Sequence, residues 1–193
     1  MNKMKYDTKL WNDYTDENKN SGQKELSAFI YHIAVALGGK RICEVGCNLG
    51  NNLSEFPANY DVHGIDMNEY ALEQTRKKYH SFKFHCASID KIPYDDSFFD
   101  IVFTRGVLIH IPKEDINAAL SEMLRISKKW IFNLEYFGVD GKMINWKRGE
   151  DLLWYRNMKE NWGNYNVEII SDVEIPLEID SGKNRLTIIK KKA

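Results

Sequence analysis

Disulfide scaffolds, metal knuckles and membrane spans are argued against by what this 193-residue chain has little of. Its three cysteines, Cys43, Cys47 and Cys86, are an odd number and too few for a disulfide framework. Cys43 and Cys47 have no second cysteine pair and no histidine at finger spacing beside them, so no metal is expected. Cys43 reads instead as a buried strand residue in a reducing, cytoplasmic setting. No apolar run approaches the ~18 residues of a spanning helix. The opening Met1-Asn2-Lys3-Met4-Lys5 continues polar, without the hydrophobic stretch of a leader. Net charge is −1, and no run of like charge is longer than Lys190-Lys191-Lys192. A nucleic-acid partner asks for a basic face that this balance does not supply, and no membrane partner is expected either.

What is present suits one globular domain over residues 1–193, with 43% hydrophobic and 28% charged residues. Residues 1–20 are polar with isolated aromatics, and Trp11 and Tyr14 share one side of a turn, so they form either a frayed end or a small docking latch. Ser21 offers a helix cap, and Leu26, Phe29, Ile30, Ile33, Ala34 and Leu37 repeat at helical spacing up to Gly38-Gly39. Strands and helices then alternate. Strands are expected at 41–45, 62–65, 82–87, 98–103 and 130–134, and helices at 51–56, 69–79 and 113–126. The insert 138–164 breaks the alternation with Trp146, Trp154 and Trp162; it is expected to be a substrate lid, with residues 1–20 as a latch, and its apolar positions predict a helix over 150–160. Two alternating runs, 167–173 and 185–190, joined by Pro176 and a Ser181-Gly182 turn, predict an antiparallel pair. The implied fold is α/β, a Rossmann-like seven-stranded mostly parallel sheet in the order 3-2-1-4-5-7-6, last strand antiparallel, with helices on both faces.

The chain centres on Glu44-Val45-Gly46-Cys47-Asn48-Leu49-Gly50, a strand end, a tight turn and a helix opening. Gly46 would let backbone approach a cofactor closely. Glu44 is too near the turn for an ordinary core residue, and its expected task is indirect: fixing the turn or reaching the cofactor through water. Asp66 closes strand two and can accept both hydroxyls of a ribose, unless it caps the following helix. Asn68 is better placed for that cap, and Met67 would lie against an adenine. The glycine spacing departs from the Gly-x-Gly-x-x-Gly of dinucleotide sites, with Asn48 at the middle position, which favours a cofactor without phosphates.

These residues resemble motif I of class I S-adenosylmethionine (SAM)-dependent methyltransferases, and Asp66 matches the family's ribose-binding acid. The segment Cys86-Ala87-Ser88-Ile89-Asp90 through Ser97-Phe98-Phe99-Asp100 resembles the family's third segment, which meets the adenine ring. There Ser88 replaces the usual Asp; its hydroxyl can still hydrogen-bond the adenine amino group, and the N–H of Ile89 can serve the ring nitrogen. The resemblance spans residues 40–135. It implies SAM as cofactor, S-adenosylhomocysteine (SAH) as product, and Tyr14, Glu44, Gly46, Cys47, Asn48, Gly50, Asp66, Met67, Ser88, Ile89, Thr104 and Arg105 as cofactor residues. A narrower resemblance, carried by Asp100 to Ile111 with Trp11, Tyr14, Tyr136, Arg148-Gly149 and Arg156, is to methylases associated with pseudaminic acid biosynthesis.

The acceptor side is read from charge and aromaticity. His110, after strand four, is either a proton acceptor or a structural histidine at a turn, and Tyr136 stands at the neighbouring strand end. Arg105, Arg148 and Arg156 can form an anion clamp or simply pair with Glu150, Asp151 or Glu160, and Trp146 can stack on a sugar. The expectation is methyl transfer to a small anionic acceptor, such as a sugar acid or activated sugar, with monomer and homodimer left open. A nucleic-acid or protein methyltransferase, a non-catalytic SAM-binding protein and an NAD-linked oxidoreductase are the rivals.

Overall fold

A computed structural model describes residues 7–21, 23–180, 182 and 184–192. Strands β1 (Arg41–Val45), β2 (Asp61–Asp66), β3 (Lys83–Cys86), β4 (Phe99–Arg105), β5 (Ser127–Tyr136), β6 (Val167–Glu174) and β7 (Asn184–Lys191) form one sheet in the order β3-β2-β1-β4-β5-β7-β6. Neighbours from β3 to β5 run parallel, while β7 runs against both β5 and β6. The architecture is the one the alternation predicts. The first four residues after Arg41 are buried, as are Ile101 to Thr104 of β4, because helices cover both faces of the sheet.

On one face lies α2 (Lys24–Leu37), which buries Leu26, Ile30, Ile33 and Ala34 against Ile42, Phe103 and Phe132. Each large side chain so buried contributes about 1.5–3 kcal/mol. Gly38 ends α2 at φ +72°, a left-handed position that a side chain disfavours. On the other face α4 (Ile116–Ile126) buries Ile116, Ala119, Leu120 and Met123 with Val102, Ile131 and Trp162. Two further helices are α1 (Thr8–Glu17) and α3 (Glu69–Lys78), and Asn68 caps α3 by accepting from the Tyr70 N–H at 3.1 Å. The helix foreseen over 51–56 is only a 3-10 turn, Asn51–Leu53. Among the described residues no helix is long and apolar enough to cross a membrane.

Two local expectations are corrected. Ser21 does not cap α2: its hydroxyl donates to the Asn18 carbonyl at 2.8 Å, and α2 starts after Gln23. The expected helix over 150–160 is also absent, and α5 spans only Met158–Trp162. The residues before it fold back as a narrow strip instead, with the Tyr155 N–H donating to Lys142 O and the Ile144 N–H to Leu153 O. Gly149 at φ +144° and Asp151 at φ +54° are incompatible with a continuing α-helix. The turn between β6 and β7 is described only in part, since Ser181 lies outside the described residues.

Candidate active site

The carboxyl ends of β1, β2 and β4 meet α1 around a cavity of about 190 Å³. At its base β1 turns sharply: the N–H groups of Gly46 and Cys47 both donate to Ile65 O, at 2.7 and 3.0 Å. Gly46 has φ +79°, and a Cβ there would sit 2.4 Å from Val107 Cγ2. The glycine thus makes room for the β4 loop as well as for any ligand. Asn48 is left-handed at φ 43°, which asparagine tolerates. Gly50 does not line the cavity; its role is the turn itself, with a Cβ reaching Thr75 and Tyr79 at 3.0 Å.

Asp66 lines the cavity at the end of β2. Its Oδ2 accepts the Asn48 N–H at 2.7 Å and its Oδ1 the Asn68 N–H at 2.8 Å. Each oxygen keeps a lone pair for a further donor. Burial raises the Asp66 pKa and the backbone N–H groups oppose that rise. Glu44 is fully buried and sits behind the cavity wall. It accepts the Asn52 amide at 2.6 Å through Oε1, while Oε2 has no partner among the described residues. Burial pushes its pKa up to about 8.

Met67, Ala87, Ser88 and Ile89 continue the wall. The Ser88 hydroxyl donates to the Asp90 carboxylate, so an acid stands beside the position where the resembling family carries one. Arg105 lines the cavity from β4; its Nη2 is 3.4 Å from Asp180 Oδ1, and its buried Nε has no partner among the described residues. Thr104, expected at the cofactor, faces the opposite way. It is buried, its Oγ1 accepts from Asn133 at 2.8 Å, and Asn133 Oδ1 accepts from the Trp162 indole at 2.7 Å. Alternation along a strand sends Thr104 into the core and Arg105 out to the ligand side.

His110 lines the cavity on the 3-10 turn Leu108–His110, with Nδ1 donating to Leu152 O at 2.7 Å. Burial lowers its pKa to about 4, so the ring is neutral at ordinary pH. Trp11 and Tyr14 of α1 line the same end. Trp146 packs one layer behind them, with ring centroids 5.0 Å from His110, 6.1 Å from Tyr14 and 6.4 Å from Trp11.

The three-arginine clamp is not formed. Arg148 ion-pairs with Glu17 of α1 and lies 5.4 Å over the Tyr14 ring. Arg156 is 1% exposed and its guanidinium donates to Leu108 O at 2.9 Å and to Ile111 O. It is a second donor to the Leu108 carbonyl, which also accepts the Ile111 N–H, and it satisfies the Ile111 carbonyl at the end of the turn. Tyr136 does not line the cavity either; it lies against Gly182, where a Cβ would be 3.0 Å from its ring.

Three residues that the sequence reading overlooked support the site. Glu135, 1% exposed at the end of β5, accepts from the Val107 N–H at 3.1 Å and the Ile109 N–H at 3.3 Å, and so fixes the turn that carries His110. Burial raises its pKa to about 7. Asp180 is the buried partner of Arg105, and Thr15 is the one buried residue of α1. An acidic residue inside an apolar strand, as at Glu44, was the available signal for Glu135. Among the described residues no group of three His, Cys, Asp or Glu is placed to hold a metal.

The fold is the one shared with solved SAM-dependent methyltransferases, and part of the chain is similar to them in sequence. Residues 42–129 match the methyltransferase domain family. A 79-residue stretch is 32% identical to phosphoethanolamine N-methyltransferase of Triticum aestivum, covering 38% of this chain and 16% of that protein. The magnesium protoporphyrin IX methyltransferase of Synechocystis PCC 6803, solved with bound SAH, superposes with TM-score 0.68 at 16% identity, covering 88% of this chain and 83% of that one. The 1,6-didemethyltoxoflavin-N1-methyltransferase of Burkholderia thailandensis, solved with bound 1,6-didemethyltoxoflavin and SAH, superposes with TM-score 0.73 at 11% identity, covering 95% of this chain and 88% of that one.

Proposed function

We propose that this protein transfers a methyl group from SAM to a small-molecule acceptor, releasing SAH. The observation that carries the reading is Asp66, a cavity-lining carboxylate held by two backbone N–H groups with lone pairs left for a ribose diol. Glu44, behind the wall, fits the same cofactor indirectly, by holding Asn52, which does line the cavity. Met67 and Ile89 would flank the adenine, and Ser88 with Asp90 would meet its edge. Bound SAM supplies an electrophilic methyl on a sulfonium, and no metal is needed.

The protein's part is alignment. The cavity residues would hold cofactor and acceptor so that the methyl could pass in line from the sulfonium sulfur to the acceptor's lone pair, with SAH as the leaving group. Fixing such a geometry is worth up to about 7–11 kcal/mol of barrier. His110 Nδ1–H is held by Leu152, so Nε2 keeps the lone pair with which it would take the acceptor's proton. Its low pKa makes it a weak base, and alignment then carries most of the rate.

The acceptor is anionic in this reading, of the sugar acid or activated-sugar kind. Arg105, with its unpartnered Nε, is the guanidinium that would receive the charge, in place of the clamp expected from sequence. Phosphoethanolamine, in the name of the wheat relative, is likewise small and anionic. The sugar-acid part of this reading is supported only by the resemblance of the quoted sequence segments to pseudaminic acid methylases. Incubation with labelled SAM and a panel of acidic sugars and their nucleotide-activated forms tests the reading; label transfer only to nucleic acid or protein would overturn it.

A further inference from the structure

Helix α1 covers the cavity with Trp11 and Tyr14, yet Thr15 is its one buried residue. Ten isolated residues do not hold a helix by themselves, so α1 depends on what it docks against. The Thr15 hydroxyl donates to Trp11 O at 2.8 Å and accepts two side-chain amides, Asn48 Nδ2 at 3.1 Å and Asn68 Nδ2 at 3.2 Å. Those two asparagines also donate their backbone N–H groups to the two oxygens of Asp66. One pair of residues therefore grips Asp66 with its backbone and α1 with its side chains. At its far end α1 meets the insert, through the aromatic contacts of Trp11 and Tyr14 with Trp146 and the Glu17–Arg148 ion pair.

We infer that Thr15 is a positioning residue that couples the cofactor half of the cavity to the acceptor half by docking α1. The inference rests on the proposed SAM site. A cofactor that touches Trp11 and Tyr14 only when α1 is docked must favour docking, and docking must in turn tighten the cofactor by the same factor. The acceptor end, walled by the same two aromatics, is complete only in the docked state. Either ligand that favours docking of α1 therefore tightens the other.

Hydrogen exchange of the full chain, with and without SAH, tests this alongside calorimetric SAH binding. SAH is expected to slow exchange in α1 in the wild type. Thr15→Val, which keeps the shape and leaves both amides unpaired, should raise α1 exchange and weaken SAH about tenfold. Exchange in β1 and β4 should stay as in the wild type. Thr15→Ser, which restores the hydroxyl, should recover both properties. No SAH binding to the wild type would overturn the SAM site itself. Equal α1 exchange with and without SAH in a protein that binds it would overturn the coupling alone. So would a Thr15→Val protein that matches the wild type, or a Thr15→Ser protein that matches Thr15→Val. If Thr15→Val does not fold, the wild-type comparison and Thr15→Ser still decide.

Discussion

His110 Nδ1 lies 2.7 Å from the carbonyl oxygen of Leu152, which decides that this nitrogen carries the ring proton. A strip of the insert thereby sets the tautomer of a residue on the β4 loop. The bond orients the ring, while burial outweighs the upward pull of that bond and keeps the pKa near 4.

That depressed pKa has a stability consequence. The unfolded histidine takes a proton near pH 6.5 and the folded one only near pH 4, so its contribution is present above pH 6.5 and is lost as pH falls toward 4. The difference is about 3 kcal/mol at most. Urea unfolding of His110→Asn should therefore be flatter over this window than that of the wild type. Parallel curves would show that the histidine is not held neutral.

Glu44 acts in the opposite direction. Its folded pKa of about 8 lies above its ordinary 4.5, so its contribution is present at low pH and is lost as pH rises through 8. Between about pH 6 and 8.5 the wild type should lose about 2–3 kcal/mol that Glu44→Gln keeps. An equal loss in both proteins at those two pH values would contradict the buried, protonated carboxyl.

Asp66→Ala should weaken SAH by about 1–3 kcal/mol, the scale for leaving hydroxyls of a buried ligand unpaired. Calorimetry with the variant measures this directly, and an unchanged affinity would remove the ribose role.

Arg156 and Arg148 should separate cleanly. Arg156→Met strands the Ile111 carbonyl and removes one of the two donors to the Leu108 carbonyl, and should cost about 1–3 kcal/mol of folding stability. Arg148→Met breaks the Glu17 pair and should raise the acceptor's KM with little change in stability. A stability loss of the same size in both would place Arg148 in the core scaffold as well.

The sheet order was legible because strand and helix periods alternate cleanly from Arg41 to Tyr136, and the Gly46 turn and Asp66 stand out by residue type. The insert was misread because Leu152, Leu153 and the tryptophans imitate helical spacing, while Gly149 and Asp151 turn the backbone away from it. Arg156 looked like a ligand residue because charge predicts exposure, yet here it satisfies turn carbonyls. Thr104 and Arg105 are adjacent in sequence and opposite in space, a distinction that needs the register of β4. Thr15 was invisible, since its partners lie 33 and 53 residues away.

Whether the cavity under α1 holds SAM is decided by isothermal titration of the purified chain with SAH and, separately, with NAD. Saturable one-to-one binding of SAH and none of NAD is expected; binding of NAD in preference to SAH would overturn the SAM site.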